Sequence, residues 1–316
     1  MRPIEVIVVI GVVSAGCKPQ EKVTPPPAHA SAVQVALSGA AVFIGAGDIG
    51  VCGARGDEET AALVDSVIKA DSAVHVESVV FTVGDNAYPA GLDRDFVRCF
   101  APSWGDPKKR IMKLIRPAIG NHDYQSQRGA AYYRYFGARA GPALKGYYSY
   151  DIGAWHAVVL NSEIAAVGTR EARDEQETWL RNDLRDHSKP CTLAYFHRPL
   201  YSSGAHGTSP LMGSIWKILA DGGADLVING HEHHYERFLP MNAAGVLDTL
   251  NGMAEIIVGT GGGGLTGIRS RPAPNSAVRI QGHWGALIAT LGSGEYRTSF
   301  IDTSGEVWDA AGGKCH

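Results

Sequence analysis

Gly230-His231-Glu232-His233-His234-Tyr235-Glu236-Arg237 follows directly on the apolar run Leu226-Val227-Ile228 and places three imidazoles within four residues. Neutral imidazole is the commonest metal ligand, and a strand that ends in glycine can deliver two such side chains to one point. The fold and the chemistry therefore turn on whether other strand ends carry matching donors.

They do. Residues 41–47 end at Asp48-Ile49-Gly50, residues 79–84 at Asp85-Asn86-Ala87-Tyr88, and Ile119-Gly120 at Asn121-His122-Asp123. Residues 192–196 end at His197, and 226–230 at the histidine run. Open α/β sheets bind ligands at the carboxyl ends of their strands, so five consecutive ends bearing oxygen or nitrogen donors are expected to converge on one site. Gly47, Gly84, Gly120 and Gly230 each precede a donor, where glycine permits a sharp turn and a close approach.

The remaining pattern alternates strand and helix. Strand signals cover 41–46, 79–83, 117–119, 155–160, 192–196 and 226–228; helical spacing covers 58–70, 171–186 and 211–220. Leu63, Val64, Val67 and Ile68 share one helix face, as do Trp179, Leu180 and Leu184. Further on, 255–258, 284–291 and 296–301 are joined by glycine-rich turns and read as antiparallel strands. The class is α/β with a strand-rich end.

At the beginning, residues 1–16 carry an early Arg2 and an apolar run over 6–13 that is too short to span a bilayer, the pattern of a signal peptide. Ser14-Ala15-Gly16-Cys17 resembles a bacterial lipobox, which makes Cys17 the candidate lipid-attachment residue; simple secretion is the alternative. Residues 17–39, with Pro25-Pro26-Pro27, read as a stiff tether, and 40–316 as one domain. The composition, 45% hydrophobic and 19% charged, is globular, and a formal net charge of -3 argues against a nucleic-acid-binding surface. Cys52, Cys99, Cys191 and Cys315 behind an export signal suggest disulfides, with three pairings possible. Cys52 with Cys99 and Cys191 with Cys315 is favoured. The first pair lies on loops after neighbouring donor-bearing strands, and the second would tie the end of the chain to a central strand.

The five motifs resemble those of the calcineurin-like metallophosphoesterases and, more narrowly, the purple acid phosphatase branch. Gly50 stands where the wider superfamily has a ligand histidine, and Tyr88 supplies a ligand from the next motif. Ala194 and Asp123 depart from the usual Val and Glu, and neither is a ligand. The resemblance implies two packed mixed β-sheets flanked by α-helices, with two metals about 3.5 Å apart at the strand carboxyl ends. Asp48, Tyr88 and His233 would hold the first ion, Asn121, His197 and His231 the second, and Asp85 would bridge. Two carboxylates and a phenolate form a hard anionic set suited to Fe(III); the imidazole-rich half with a neutral amide suits Zn, Mn or Fe(II). Such a pair keeps a net charge of about +2 against its ligands, attractive to a phosphate dianion.

His122 is implied to contact phosphate and protonate the leaving group, and His206 to face substrate from the rim. His29, His75, His156, His187, His283 and His316 match no motif. The run Gly261 to Gly264 lacks the Lys-Ser or Lys-Thr of a phosphate-cradling loop and reads as a mobile turn beside the pocket. Tyr132, Tyr133, Tyr135, Phe136, Tyr147, Tyr148 and Tyr150 read as core with hydroxyls reaching water. The function implied is hydrolysis of small phosphorylated substrates, chiefly monoesters, by an exported, membrane-anchored enzyme using a metal-bound hydroxide. A phosphodiesterase with two divalent ions and a non-catalytic metal-bearing surface lipoprotein are the alternatives.

Overall fold

The computed structural model describes residues 40–316, apart from 74 and 143; the expected signal peptide and tether, and with them Cys17, lie outside the described residues. In chain order the strands are β1 (Ala41–Ala46), β2 (Ser78–Val83), β3 (Ile115–Ala118), β4 (Tyr148–Ile152), β5 (Trp155–Val159), β6 (Cys191–Phe196) and β7 (Leu226–Asn229). After these come β8 (Tyr235–Phe238), β9 (Ala254–Val258), β10 (Ser276–Ile280), β11 (Gly285–Leu291), β12 (Glu295–Asp302) and β13 (Val307–Lys314). They form two mixed sheets, ordered β13-β12-β11-β1-β2-β3 and β10-β8-β9-β7-β6-β5-β4.

Parallel strands form one side of the first sheet, β1-β2-β3, and the middle of the second, β9-β7-β6-β5, and their sequences say why. Every residue of β1, β5, β6, β7 and β9 is buried, as expected of strands covered on both faces. The edge strand β13 alternates exposed and half-buried positions. Pro117 sits in β3 at the other edge, where a missing N–H costs no ladder bond. One expectation needs correction. β11 and β12 are antiparallel, but β9 runs parallel to β7 and antiparallel only to β8, because β8 leaves the histidine run and returns across β9. The strands β4, β8, β10 and β13 carried no legible strand signal.

Large aromatics fill the space between the sheets. Phe43 of β1 stacks on Phe81 of β2 at 4.4 Å, and both meet Tyr195 of β6 from the opposite sheet at 5.4 and 5.9 Å. Such pairs add about 0.5–1.5 kcal/mol beyond their buried area. The aromatic group near β3 lies in or packs against the core, and three of its hydroxyls bond to protein. Tyr132 and Tyr148 both donate to the Pro117 carbonyl, at 2.8 and 2.9 Å, and Tyr150 meets Tyr195 hydroxyl to hydroxyl.

The Gly56–Ala73 helix and the Arg170–Asp186 helix extend the stretches read from sequence by one to three residues at their ends. The latter begins at a Thr169 cap whose hydroxyl accepts from the Ala172 N–H, and it buries Gln176, Leu180 and Leu184. A second cluster forms where these side chains meet the Gly213–Asp221 helix beneath the second sheet.

Both disulfides pair as favoured: Cys52 with Cys99 across 47 residues, and Cys191 with Cys315 across 124. The first ties the loop after β1 to the short helical segment Phe96–Phe100. The second fastens the chain end to the start of β6, where Asp225 also accepts from the His316 N–H at 2.9 Å. Closing so long a loop removes much unfolded-state entropy, typically about 2–4 kcal/mol of stabilisation. Replacing both Cys191 and Cys315 by Ser should therefore lower the urea midpoint by an amount equivalent to about 2–4 kcal/mol. An unchanged midpoint would contradict this.

Candidate metal centre

All seven expected ligands meet at one edge of the sandwich, delivered by β1, β2 and β3 of one sheet and β6 and β7 of the other. The Tyr88 hydroxyl lies 3.0 Å from Asp48 Oδ1, 3.2 Å from Asp85 Oδ2 and 3.1 Å from His233 Nε2, and His233 Nε2 is 3.2 Å from Asp48 Oδ1. A second group adjoins it. His197 Nε2 lies 3.0 Å from Asn121 Oδ1, 3.2 Å from His231 Nδ1 and 3.3 Å from Asp85 Oδ2. The one atom common to both groups is Asp85 Oδ2. Donors at these spacings are as far apart as two ligands of one ion would be with bonds of about 2.0–2.3 Å, the range of metal–oxygen and metal–nitrogen bonds. The residues present thus fit two ions sharing Asp85.

The backbone is bent to achieve this. Asp48, Asp85 and His231 have φ of 59°, 49° and 71°, in the left-handed region that non-glycine residues seldom enter. Three ligand positions in strained backbone mark a functional site, because such strain persists only where surrounding contacts enforce it. Glycine makes the approach possible. A Cβ on Gly120 would lie 2.2 Å from Asp85 Oδ1, and one on Gly84, itself at φ 87°, 2.7 Å from His197 Nδ1.

Each of these two carboxylates is divided between two tasks. Asp48 Oδ2 accepts from the His231 N–H at 2.9 Å, and Asp85 Oδ1 from the His122 N–H at 2.7 Å, which leaves one oxygen of each for the site. The histidines are aimed from behind: His197 Nδ1 donates to the Val83 carbonyl at 2.8 Å and His233 Nδ1 to the Gly264 carbonyl at 2.6 Å. Gly264 belongs to the glycine run read as a mobile turn. That turn is instead largely buried and pinned, with the Gly261 and Gly263 N–H groups donating to the Gly47 and Asp48 carbonyls at 2.8 and 2.7 Å.

Several contributors were given no role from the sequence, although Asp123 sits in the third motif and Glu232 in the histidine run. Asp123, fully buried, accepts from the N–H groups of Asn86, Ala87 and Gly120 and from Asn86 Nδ2, locking the second motif to the third. Burial and the Asp85 charge raise its carboxyl, while those donors work the other way. Glu232, also fully buried, accepts from the His206 and Gly207 N–H groups, both at 2.9 Å, and its other oxygen is 3.3 Å from His206 Nδ1. His206 thereby stacks on His231 at 4.3 Å, at the exposed rim. His234, the third imidazole of the run, turns away and pairs with the buried Glu236 at 3.1 Å.

The electrostatics are those of a cation site. Burial and the Asp48 and Asp85 carboxylates drive the Tyr88 hydroxyl far above the ordinary phenol value, since a phenolate beside two carboxylates is untenable without a positive partner. Burial would lower His197 and His233, yet the facing Asp85 and Asp48 raise them to about 10 and about 9. Burial, His197 and Arg198 lower His231 to about 2. The carboxylates thus hold protons on neighbouring imidazoles, and metal loading must displace them.

The calcineurin-like phosphoesterase family profile matches residues 41–235. Acid phosphatase type 7 of Homo sapiens is 27% identical over 251 residues, covering 68% of this chain and 55% of the relative. Purple acid phosphatase 15 of Arabidopsis thaliana is 31% identical over 157 residues, 44% of this chain and 29% of the relative. Among solved structures, the purple acid phosphatase from yellow lupin seeds superposes with a TM-score of 0.72 at 19% identity, over 87% of this chain and 54% of that one. The chain spans about half the length of the first of these relatives and less of the other. With the family profile covering more than half of its residues, the chain belongs to the calcineurin-like phosphoesterase family.

Proposed function

We propose that the protein hydrolyses phosphate esters, monoesters above diesters, at a dinuclear centre of the Fe(III)-plus-divalent type. The observation that carries this reading is the unequal division of donors around Asp85 Oδ2: carboxylate, phenol and imidazole on one side, amide and two imidazoles on the other. A hard anionic set beside a neutral nitrogen-rich set is what a trivalent and a divalent ion would each select. Bound there, the ions supply Lewis-acidic seats for phosphoryl oxygens and an activated water.

The chain's own groups supply the rest. His122 Nδ1 donates to the Pro89 carbonyl at 2.6 Å, which fixes the ring and leaves Nε2 on the site side, 3.9 Å from Asp85 Oδ2. A carbonyl only accepts, so Nδ1 carries a proton and Nε2 is the nitrogen free to serve the leaving-group oxygen. Its half-exposed position suits a group that meets substrate. His206, held beside Glu232, stands at the exposed rim over His231 and would meet the phosphoryl group there.

The two disulfides fit an oxidising compartment, and we infer export with a lipid anchor at Cys17 as the arrangement in the cell. No helix among the described residues is long and apolar enough to cross a membrane.

Metal-replete protein should turn over p-nitrophenyl phosphate faster than bis-p-nitrophenyl phosphate. A faster diester rate would favour a phosphodiesterase, and no turnover of either would refute catalysis. Iron-loaded protein should also show a visible charge-transfer band from the Tyr88 phenolate. Tyr88→Phe should abolish that band, and a band that survives would exclude Tyr88 as an iron ligand.

A further inference from the structure

His231 meets a charge that a metal-ligating imidazole does not ordinarily face. Its Nδ1 is turned toward His197 Nε2 at 3.2 Å, into the second donor group, while its Nε2 accepts from Arg198 Nη1 at 3.2 Å. Ligating imidazoles usually give their outer N–H to a carboxylate or carbonyl, which makes the ring a better donor. His197 and His233 follow that rule through Val83 and Gly264. His231 instead faces a guanidinium, which has donors and no acceptor.

Arg198 is held firmly in this position. Its Nε and Nη2 donate to Glu163 Oε1 and Oε2 at 2.8 and 3.1 Å, and its backbone N–H donates to Ser162 Oγ at 3.2 Å. Glu163 is 2% exposed, so the two-pronged pair anchors the part-buried Arg198 on a buried carboxylate. With two edges of the guanidinium taken, Nη1 is what remains for His231.

We propose that the Arg198–Glu163 pair makes the second metal position, the one served by Asn121, His197 and His231, the weaker and more exchangeable of the two. This rests on the dinuclear reading above. A fixed cation beside Nε2 withdraws electron density from the ring and so weakens donation from Nδ1. An ion on Nδ1 also obliges the neutral imidazole to carry its proton on Nε2. A metal-bound His231 would therefore set donor against donor across Nε2, an N–H facing the Arg198 N–H. The first position is spared, because its own imidazole, His233, leans on a carbonyl. An ion poorly donated to by His231 also keeps more of its Lewis acidity for a phosphoryl oxygen.

The test is retention of zinc, not activity. Wild type, Arg198→Lys and the double variant Arg198→Met/Glu163→Gln are loaded with two zinc ions per chain, equilibrated with graded chelator, and assayed for bound metal by mass spectrometry. The double variant removes the pair as a unit, so that no uncompensated carboxylate is left to unfold the site; its thermal unfolding is measured alongside. Wild type should release one ion well before the other. In the double variant the second ion should be held about tenfold more tightly with the first unchanged, and Arg198→Lys, which keeps the charge, should stay near wild type. A purely structural pair predicts the opposite sign, a looser second ion on its removal. Equal or looser retention in the double variant would overturn the proposal while leaving the dinuclear centre standing. A wild type that cannot take up two ions would overturn both.

Discussion

The Tyr88 hydroxyl meets buried Asp48 at 3.0 Å and buried Asp85 at 3.2 Å, and everything else in the molecule serves or tolerates that crowding. Buried anions so placed repel, and the protein relieves them with imidazolium partners on His197 and His233 until cations take over. The strained backbones of Asp48, Asp85 and His231 are part of the same cost, spread over strands whose interiors are fully buried. Stability made in the two cores is thus used at their common edge.

That division explains what could be read from the chain beforehand. Ligands follow strands within a few residues, so Asp48, Asp85, Tyr88, Asn121, His197, His231 and His233 were each visible beside an apolar run and a glycine. The groups that aim them come from far along the chain, and nothing local betrays them. Glu163 reaches Arg198 across 35 residues, and Gly264 reaches His233 across 31. Glu232 is the exception in place but not in role: it stands inside the histidine run, yet its work is to shape the loop around His206.

The same reasoning applies to the strands. β1, β2, β6 and β7 announce themselves because burial on both faces demands unbroken apolar residues. β13 is an edge strand with two glycines near its end, β4 is made of tyrosines that double as core, and β8 begins inside the metal-bearing run. Their pairing is imposed by neighbours rather than by their own composition. The parallel course of β9 was likewise set by the sheet it joins, since glycine-rich turns beside a strand say nothing of its direction.

The account stands or falls on two ions sharing one oxygen of Asp85. Crystals of protein loaded with iron and zinc, measured at both absorption edges, test it directly through anomalous difference maps. The account predicts an iron peak among Asp48, Tyr88 and His233 and a zinc peak among Asn121, His197 and His231, about 3.5 Å apart with Asp85 between them. A single peak, or two peaks without Asp85 between them, would contradict it.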